Sequence, residues 1–164
     1  VKPTPIQMQA IGAVMSGRDV VGNAETGSGK TLAYLLPVCS LLFHRTYSHE
    51  TGPVALLIAP TRELVSQIYD EASRYLPLVT RPMAPPPVPL AVHGGVSVGA
   101  QIQALLKGVE VIVATPGRLI DLLDRRATHL QHLLILVLDE ADRMLSMGME
   151  NQLRQVLDQA NVVG

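Results

Sequence analysis

Two short segments constrain this chain more than any other feature, because each is expected to sit at the end of a strand. Ala24-Glu25-Thr26-Gly27-Ser28-Gly29-Lys30-Thr31 follows the apolar pair Val20-Val21 and opens a helical pattern. Asp139-Glu140-Ala141-Asp142 follows the unbroken apolar run Leu133-Leu134-Ile135-Leu136-Val137-Leu138. Open α/β sheets gather ligands at the carboxyl ends of their strands. A fold that uses both segments therefore places them side by side on one edge of a parallel sheet.

The residue types point to phosphate and metal chemistry. Gly27 and Gly29 let the backbone wrap tightly with its N–H groups turned inward, and Lys30 adds a point charge for β/γ-phosphates. Thr31 can ligate Mg²⁺ at a helix N-terminus. The general phosphate-loop pattern has Gly where this chain has Ala24. One carboxylate of the pair Asp139-Glu140 can hold Mg²⁺ through water while its neighbour orients or deprotonates an attacking water, the division that phosphoryl transfer to water needs. Taken alone, the acidic string reads better as the start of a helix after Asp142, where negative charge suits the dipole. Lys30-Thr31 at that spacing is what an ordinary glycine turn would not need.

At 164 residues the chain forms about one domain, long enough to bury roughly 70% of its unfolded surface. Apolar residues make up 48% and charged residues 16%, which favours strands covered on both faces. The single cysteine, Cys39, excludes a disulfide framework and reads as a buried structural thiol in an intracellular protein. No apolar run approaches a membrane span, and Val1-Lys2-Pro3-Thr4 lacks the layout of a signal peptide, so a soluble chain is expected. The net charge of −1 supplies no global basic field, and one Phe, four Tyr and no Trp leave little for base stacking. Any nucleic-acid binding must use local contacts to the backbone.

Short apolar runs alternating with amphipathic stretches predict strands at 19–23, 54–59, 88–92, 110–114 and 133–138. Helices are expected from Thr4 to about Gly17, burying Ile6, Ile11, Val14 and Met15, and near 30–43, 62–75, 99–107, 117–126 and 149–160. Pro37 is expected to kink the second helix. Six of the twelve prolines fall between Pro77 and Pro89, which predicts an extended surface connection there. His44, His49, His93, His129 and His132 show no metal-ligand spacing. Met144, Met147 and Met149 suit packing or an adaptable surface better than a cofactor site.

Six ordered motifs then coincide with a family. Pro3-Thr4-Pro5-Ile6-Gln7, the string at 24–31, Pro60-Thr61-Arg62-Glu63-Leu64 with its continuation to Gln67, His93-Gly94-Gly95, Ala114-Thr115-Pro116-Gly117-Arg118 and Val137 through Asp142 resemble the first RecA-like lobe of the DEAD-box ATP-dependent RNA helicases. The resemblance spans nearly the whole chain, and Ala24 fits this family's form of the phosphate loop.

The resemblance implies an α/β domain that binds ATP and Mg²⁺ and contacts RNA. Gln7 would read adenine, since one amide offers a donor for N7 and an acceptor for the N6 amine. Ala24, Glu25, Thr26, Gly27, Ser28, Gly29, Lys30 and Thr31 would hold the triphosphate, Thr31 and Asp139 the metal, and Glu140 the water. Lys30, Asp139 and Glu140 would thus carry catalysis, with Asp142 linking to a second lobe. Pro60, Thr61, Arg62, Gly94, Gly95, Thr115, Pro116, Gly117 and Arg118 would contact the RNA backbone without reading sequence. Each of these also has a plain role as a turn or cap. The family further implies an aromatic residue upstream of Gln7, a Ser-Ala-Thr strand between the phosphate-loop and DEAD strands, and a second lobe with arginine fingers. None lies within 1–164, so the chain is expected to be a fragment of a two-lobe protein. A P-loop ATPase of another class, such as a DNA helicase, and a non-catalytic nucleotide-dependent scaffold stand as alternatives.

Overall fold

The computed structural model describes residues 2–44, 52–81 and 84–160, and His49 lies outside them. Seven α-helices and four strands alternate among the described residues. Helix α1 (Pro5–Met15) and α2 (Lys30–His44) come first, then β1 (Ala55–Ile58) and α3 (Arg62–Tyr75). β2 (Pro89–Val92), α4 (Val98–Leu106), β3 (Val111–Ala114) and α5 (Pro116–Asp124) follow, and β4 (Ile135–Leu138), α6 (Ala141–Ser146) and α7 (Glu150–Gln159) close the chain. The strands form one parallel sheet in the order β2-β3-β1-β4.

Continuous apolar strands suit this sheet because both of its faces are covered. Ala55 and Leu57 of β1 pack with Leu35, Val38 and Leu42 of α2 and with Val65, Ile68 and Ala72 of α3. Leu56 and Ile58 meet Leu119 and Leu122 of α5, Met144 of α6 and Val156 of α7 on the other side. β1 and β3 are wholly buried, whereas each residue of β4, at the sheet's edge, is half-buried. Pro89 starts the other edge strand, where a missing N–H costs no ladder bond.

Three expectations need correction. Residues 19–23 form no strand: a strand needs a ladder partner, none stands beside them among the described residues, and Val21 is fully exposed. Apolar patterning reports a tendency to be covered, and pairing requires a neighbour. In α1, Ile6, Ile11 and Val14 are half-buried but Met15 is exposed, because the helix lays only a narrow stripe on α2 and buries Ala10 alone. Gly17 does end it, with φ at +76° and its N–H on Val14 O. α2 runs on through the buried Pro37. Cys39 is half-buried, and burial pushes its thiol up, away from the reactive thiolate.

The proline-rich connection is the third correction, for it is only partly a surface loop. Pro85 and Pro86 are exposed, but Arg81 is buried and forms a two-pronged ion pair with Glu110, Nη1 to Oε1 and Nη2 to Oε2, both 2.7 Å. Arg81 Nη2 also donates to Pro85 O at 2.7 Å. Glu110 in turn accepts the N–H groups of Val54 and Ala55 on its carbonyl, so the pair anchors the connection to the amino-terminal end of the sheet. A lone Arg and a lone Glu 29 residues apart carry no sequence signal for such a pairing.

Candidate functional site

The parallel sheet delivers four sequence motifs to one edge. Its order sets them in line: His93-Gly94-Gly95 after β2, Thr115 to Arg118 after β3, Pro60-Thr61-Arg62 after β1, and Asp139-Glu140 after β4. The ladder continues into them, since Thr115 N donates to Val92 O, Ala59 N to Ala114 O and Asp139 N to Ile58 O, at 2.9–3.0 Å.

The phosphate loop closes on itself. Lys30 Nζ donates to Ala24 O across the loop, and Ser28 N donates to Glu25 O at 3.2 Å. Gly27 and Gly29 hold φ near +80° and +90°, a left-handed backbone that glycine adopts without steric penalty. A Cβ at Gly29 would also fall 2.5 Å from Gln7 Nε2. That amide donates to Gly29 O at 3.1 Å, while Gln7 Oε1 accepts Thr4 N at 3.0 Å. Gln7 thus ties the start of α1 to the phosphate loop, and each end of its amide keeps capacity for one more bond.

Asp139 is tied to α2, the helix that the phosphate loop opens, through a residue that sequence reasoning missed. The Tyr34 hydroxyl, one helical turn beyond Lys30, donates to Asp139 Oδ2 at 2.8 Å, and Glu140 N donates to Oδ1 at 3.0 Å. Burial, then the adjacent Asp139 charge and its hydrogen bond, push the Tyr34 phenol well above its ordinary value, weakly opposed by Thr31. Tyr34 therefore stays protonated as a donor. A tyrosine at that spacing in a helix that opens with Lys30-Thr31 was the available signal. Glu140 adopts left-handed backbone angles (φ 53°, ψ 47°) at the N-cap of α6, and its Oε2 accepts from Arg143 at 2.9 Å in an exposed pair. Asp142 lies in the first turn of α6.

Two donor-set observations bear on ligands. The Ser28 hydroxyl oxygen is buried without a hydrogen-bond partner among the described residues, an orphan that a phosphate oxygen would satisfy. Thr31 and Asp139 offer hard oxygen atoms, few in number, as suits Mg²⁺, which keeps several waters and shares substrate phosphates. Among the described residues no cluster of three or more His, Cys, Asp or Glu suits a metal.

The motifs after β1, β2 and β3 are also brought together. A Cβ at Gly95 would lie 3.6 Å from Arg62 Nη1, so Arg62 borders the Gly94-Gly95 turn. Arg118 Nη1 donates to Val96 O and to Gln101 Oε1, each at 2.9 Å. Gln101, almost fully buried, donates to His93 O at 3.2 Å and reaches Ala91 O at 3.4 Å. Arg118 and Gln101 thus hold the 93–96 turn, and Arg118 is a strut as well as a surface cation. Thr61 Oγ1 caps α3 by accepting Leu64 N at 3.3 Å, and Arg62 pairs with Glu63 in solvent. Thr115 stands at the N-cap of α5 without a side-chain cap bond, Pro116 is buried at the first helical position and Gly117 is exposed. His93 turns its Nδ1 to Gly94 O, and His129 and His132 stack edge to face on the far side of α5 in sequence. Met144 is core, while Met147 is exposed.

A four-stranded parallel sheet with a glycine-rich phosphate loop and an Asp-Glu pair on its carboxyl edge defines a RecA-like nucleotide-binding lobe. The DEAD/DEAH box helicase family model matches residues 4–163, and the chain belongs to that family. It is 46% identical over 157 residues to DEAD-box ATP-dependent RNA helicase 20 of Arabidopsis thaliana, covering 95% of this chain and 30% of that protein. It is 48% identical over 158 residues to ATP-dependent RNA helicase dbp2 of Schizosaccharomyces pombe, covering 96% and 28%. The yeast DEAD-box splicing factor Prp28 superposes with a TM-score of 0.92 at 36% identity, over 98% of this chain and 37% of that one. The chain thus spans about a third or less of the curated relatives it matches. Among the described residues no helix is long and apolar enough to cross a membrane.

Proposed function

We propose that this chain is the ATP-binding lobe of an ATP-dependent RNA helicase, acting with a second RecA-like lobe to couple ATP hydrolysis to RNA-backbone binding and local unwinding. The observation that carries this reading is the single line of motifs along the sheet edge, with the Tyr34–Asp139 bond joining α2, the helix that opens with Lys30 and Thr31, to one end of it. Ala24 through Thr31 surround the triphosphate, and Gln7 presents its amide to adenine. Thr31 and Asp139 hold Mg²⁺, which when bound offsets the negative charge of the phosphates. Glu140 takes the proton of the attacking water. Gly94-Gly95, Thr115 to Arg118 and Pro60 to Arg62 face the RNA backbone, where glycine N–H groups and helix N-termini suit phosphate oxygens. Asp142 serves the contact between lobes.

Nucleotide and RNA titrations test the assignment. Lys30→Ala is expected to weaken ATP and GTP alike by about 10- to 100-fold, since a hydrogen bond to a charged group contributes roughly 1.5–3 kcal/mol. Gln7→Ala should instead lower the ATP-to-GTP affinity ratio, by about 1–3 kcal/mol if both base contacts form. An unchanged ratio would remove Gln7 from the base site.

Arg62→Ala and Arg118→Ala should reduce affinity equally for two unrelated single-stranded RNAs, measured by fluorescence anisotropy. A strong preference for one sequence would contradict a backbone-directed surface. Equal binding of DNA would favour a helicase of another class over an RNA-selective one.

A further inference from the structure

Each oxygen of the Asp139 carboxylate has a donor within the fold. Its Oδ1 accepts Glu140 N and its Oδ2 accepts the Tyr34 hydroxyl. Both oxygens are therefore fixed, the plane of the carboxylate is set, and each oxygen keeps lone-pair capacity for a further partner. The donor to Oδ2 comes from α2, the helix that begins with Lys30 and Thr31, and is separated from Asp139 by 105 residues. Thr31 and Tyr34 are three residues apart on that helix and so share a face. Tyr34 is also half-buried against the core, so its ring is gripped and its hydroxyl has little freedom to turn away.

We propose that Tyr34 is a positioning residue for the metal site: its hydroxyl locks the Asp139 carboxylate in register with Thr31, so that the two protein oxygens are prearranged for one Mg²⁺–nucleotide complex. The inference rests on the reading that Thr31 and Asp139 hold that metal. Partners that orient a metal-binding carboxylate from behind commonly matter about 10- to 100-fold in metal affinity. The lower figure applies here, because the nucleotide phosphates carry most of the ion's coordination. Tyr34 does not touch the reacting atoms and acts only through Asp139.

Tyr34→Phe tests this, since it deletes one oxygen and keeps the ring that fills the core. The readout is the affinity of a fluorescent ADP analogue, measured in EDTA and across a Mg²⁺ titration, on the intact chain. The variant should match the parent in EDTA, lose roughly 10-fold of the Mg²⁺-dependent gain in affinity, and need more Mg²⁺ for half-saturation. A double-mutant cycle with Asp139→Asn separates this from general loosening: Tyr34→Phe should have no further effect on the Mg²⁺ dependence once Asp139 is an amide.

An unchanged Mg²⁺ dependence in Tyr34→Phe, or additive effects in the cycle, would overturn the role of Tyr34 alone. A parent chain whose nucleotide affinity ignores Mg²⁺, or in which Asp139→Asn changes nothing, would instead overturn the metal site on which the inference rests.

Discussion

ATP turnover is expected to fall about 10²- to 10⁴-fold when Glu140 becomes glutamine in a chain carrying both lobes, with nucleotide affinity nearly unchanged. That range is the usual contribution of a positioned general base. Glutamine keeps the size of the side chain but cannot accept the proton of the attacking water. The Glu140–Arg143 pair lost in the exchange is solvent-exposed, so its removal should cost less than about 1 kcal/mol. Single-turnover phosphate release, paired with a nucleotide titration, distinguishes lost chemistry from lost binding. Full activity of the variant would take Glu140 off the water. The 164-residue lobe alone should be slower than the two-lobe chain by a further factor on the order of 10³ to 10⁵, the usual contribution of an arginine finger. Of the nearby arginines, Arg118 is held by Val96 O and Gln101, while Arg62 and Arg143 lie on α3 and α6 and form exposed pairs with Glu63 and Glu140. Robust RNA-stimulated turnover by the lobe alone would sink the split site.

Glu110→Ala is expected to destabilise the fold by about 3–5 kcal/mol, because it removes the carboxylate whose charge balances the buried Arg81 guanidinium. Both side chains are nearly inaccessible, 2% and 8% exposed, so solvent cannot take the partner's place. Against a typical domain stability of roughly 5–15 kcal/mol, the loss is a large fraction. Replacing the two together, Arg81→Met with Glu110→Leu, should restore most of it, since buried pairs contribute little net energy beyond an apolar substitute of similar volume. Urea denaturation midpoints of the three variants decide the matter. A loss below about 1 kcal/mol for Glu110→Ala would mean that the connection before β2 opens freely to water.

The sheet and most helices were legible because their signals are local. Val54 to Ala59, Glu110 to Ala114 and Leu133 to Leu138 are apolar runs bounded by turn residues, and Thr61, Pro116 and Gly17 mark helix ends with known chemistry. The strings at 24–31 and 139–142 stood out because the chemistry proposed for them needs particular residue types at fixed spacing. What escaped reading depends on distant partners. Tyr34 on Asp139, Arg81 on Glu110 and Gln101 under the 93–96 turn are hydrogen-bonded matches across the fold, and none leaves a periodic or compositional trace. Residues 19–23 failed for the complementary reason: Val20-Val21 has the composition of a strand, but a ladder is a property of two segments.

Under the role proposed for Glu140, its left-handed backbone sets stability and chemistry against each other at a single position. A side-chain-bearing residue in that conformation costs roughly 1–2 kcal/mol, and glycine avoids the penalty. Selection for thermal robustness alone should therefore drift toward glycine, or asparagine, at 140 and away from β-branched residues. Selection for turnover should hold the carboxylate in place despite the strain. A saturation library at this codon in a chain carrying both lobes, sorted once for resistance to heat and once for ATP hydrolysis, should yield two opposed rankings from the same set of variants.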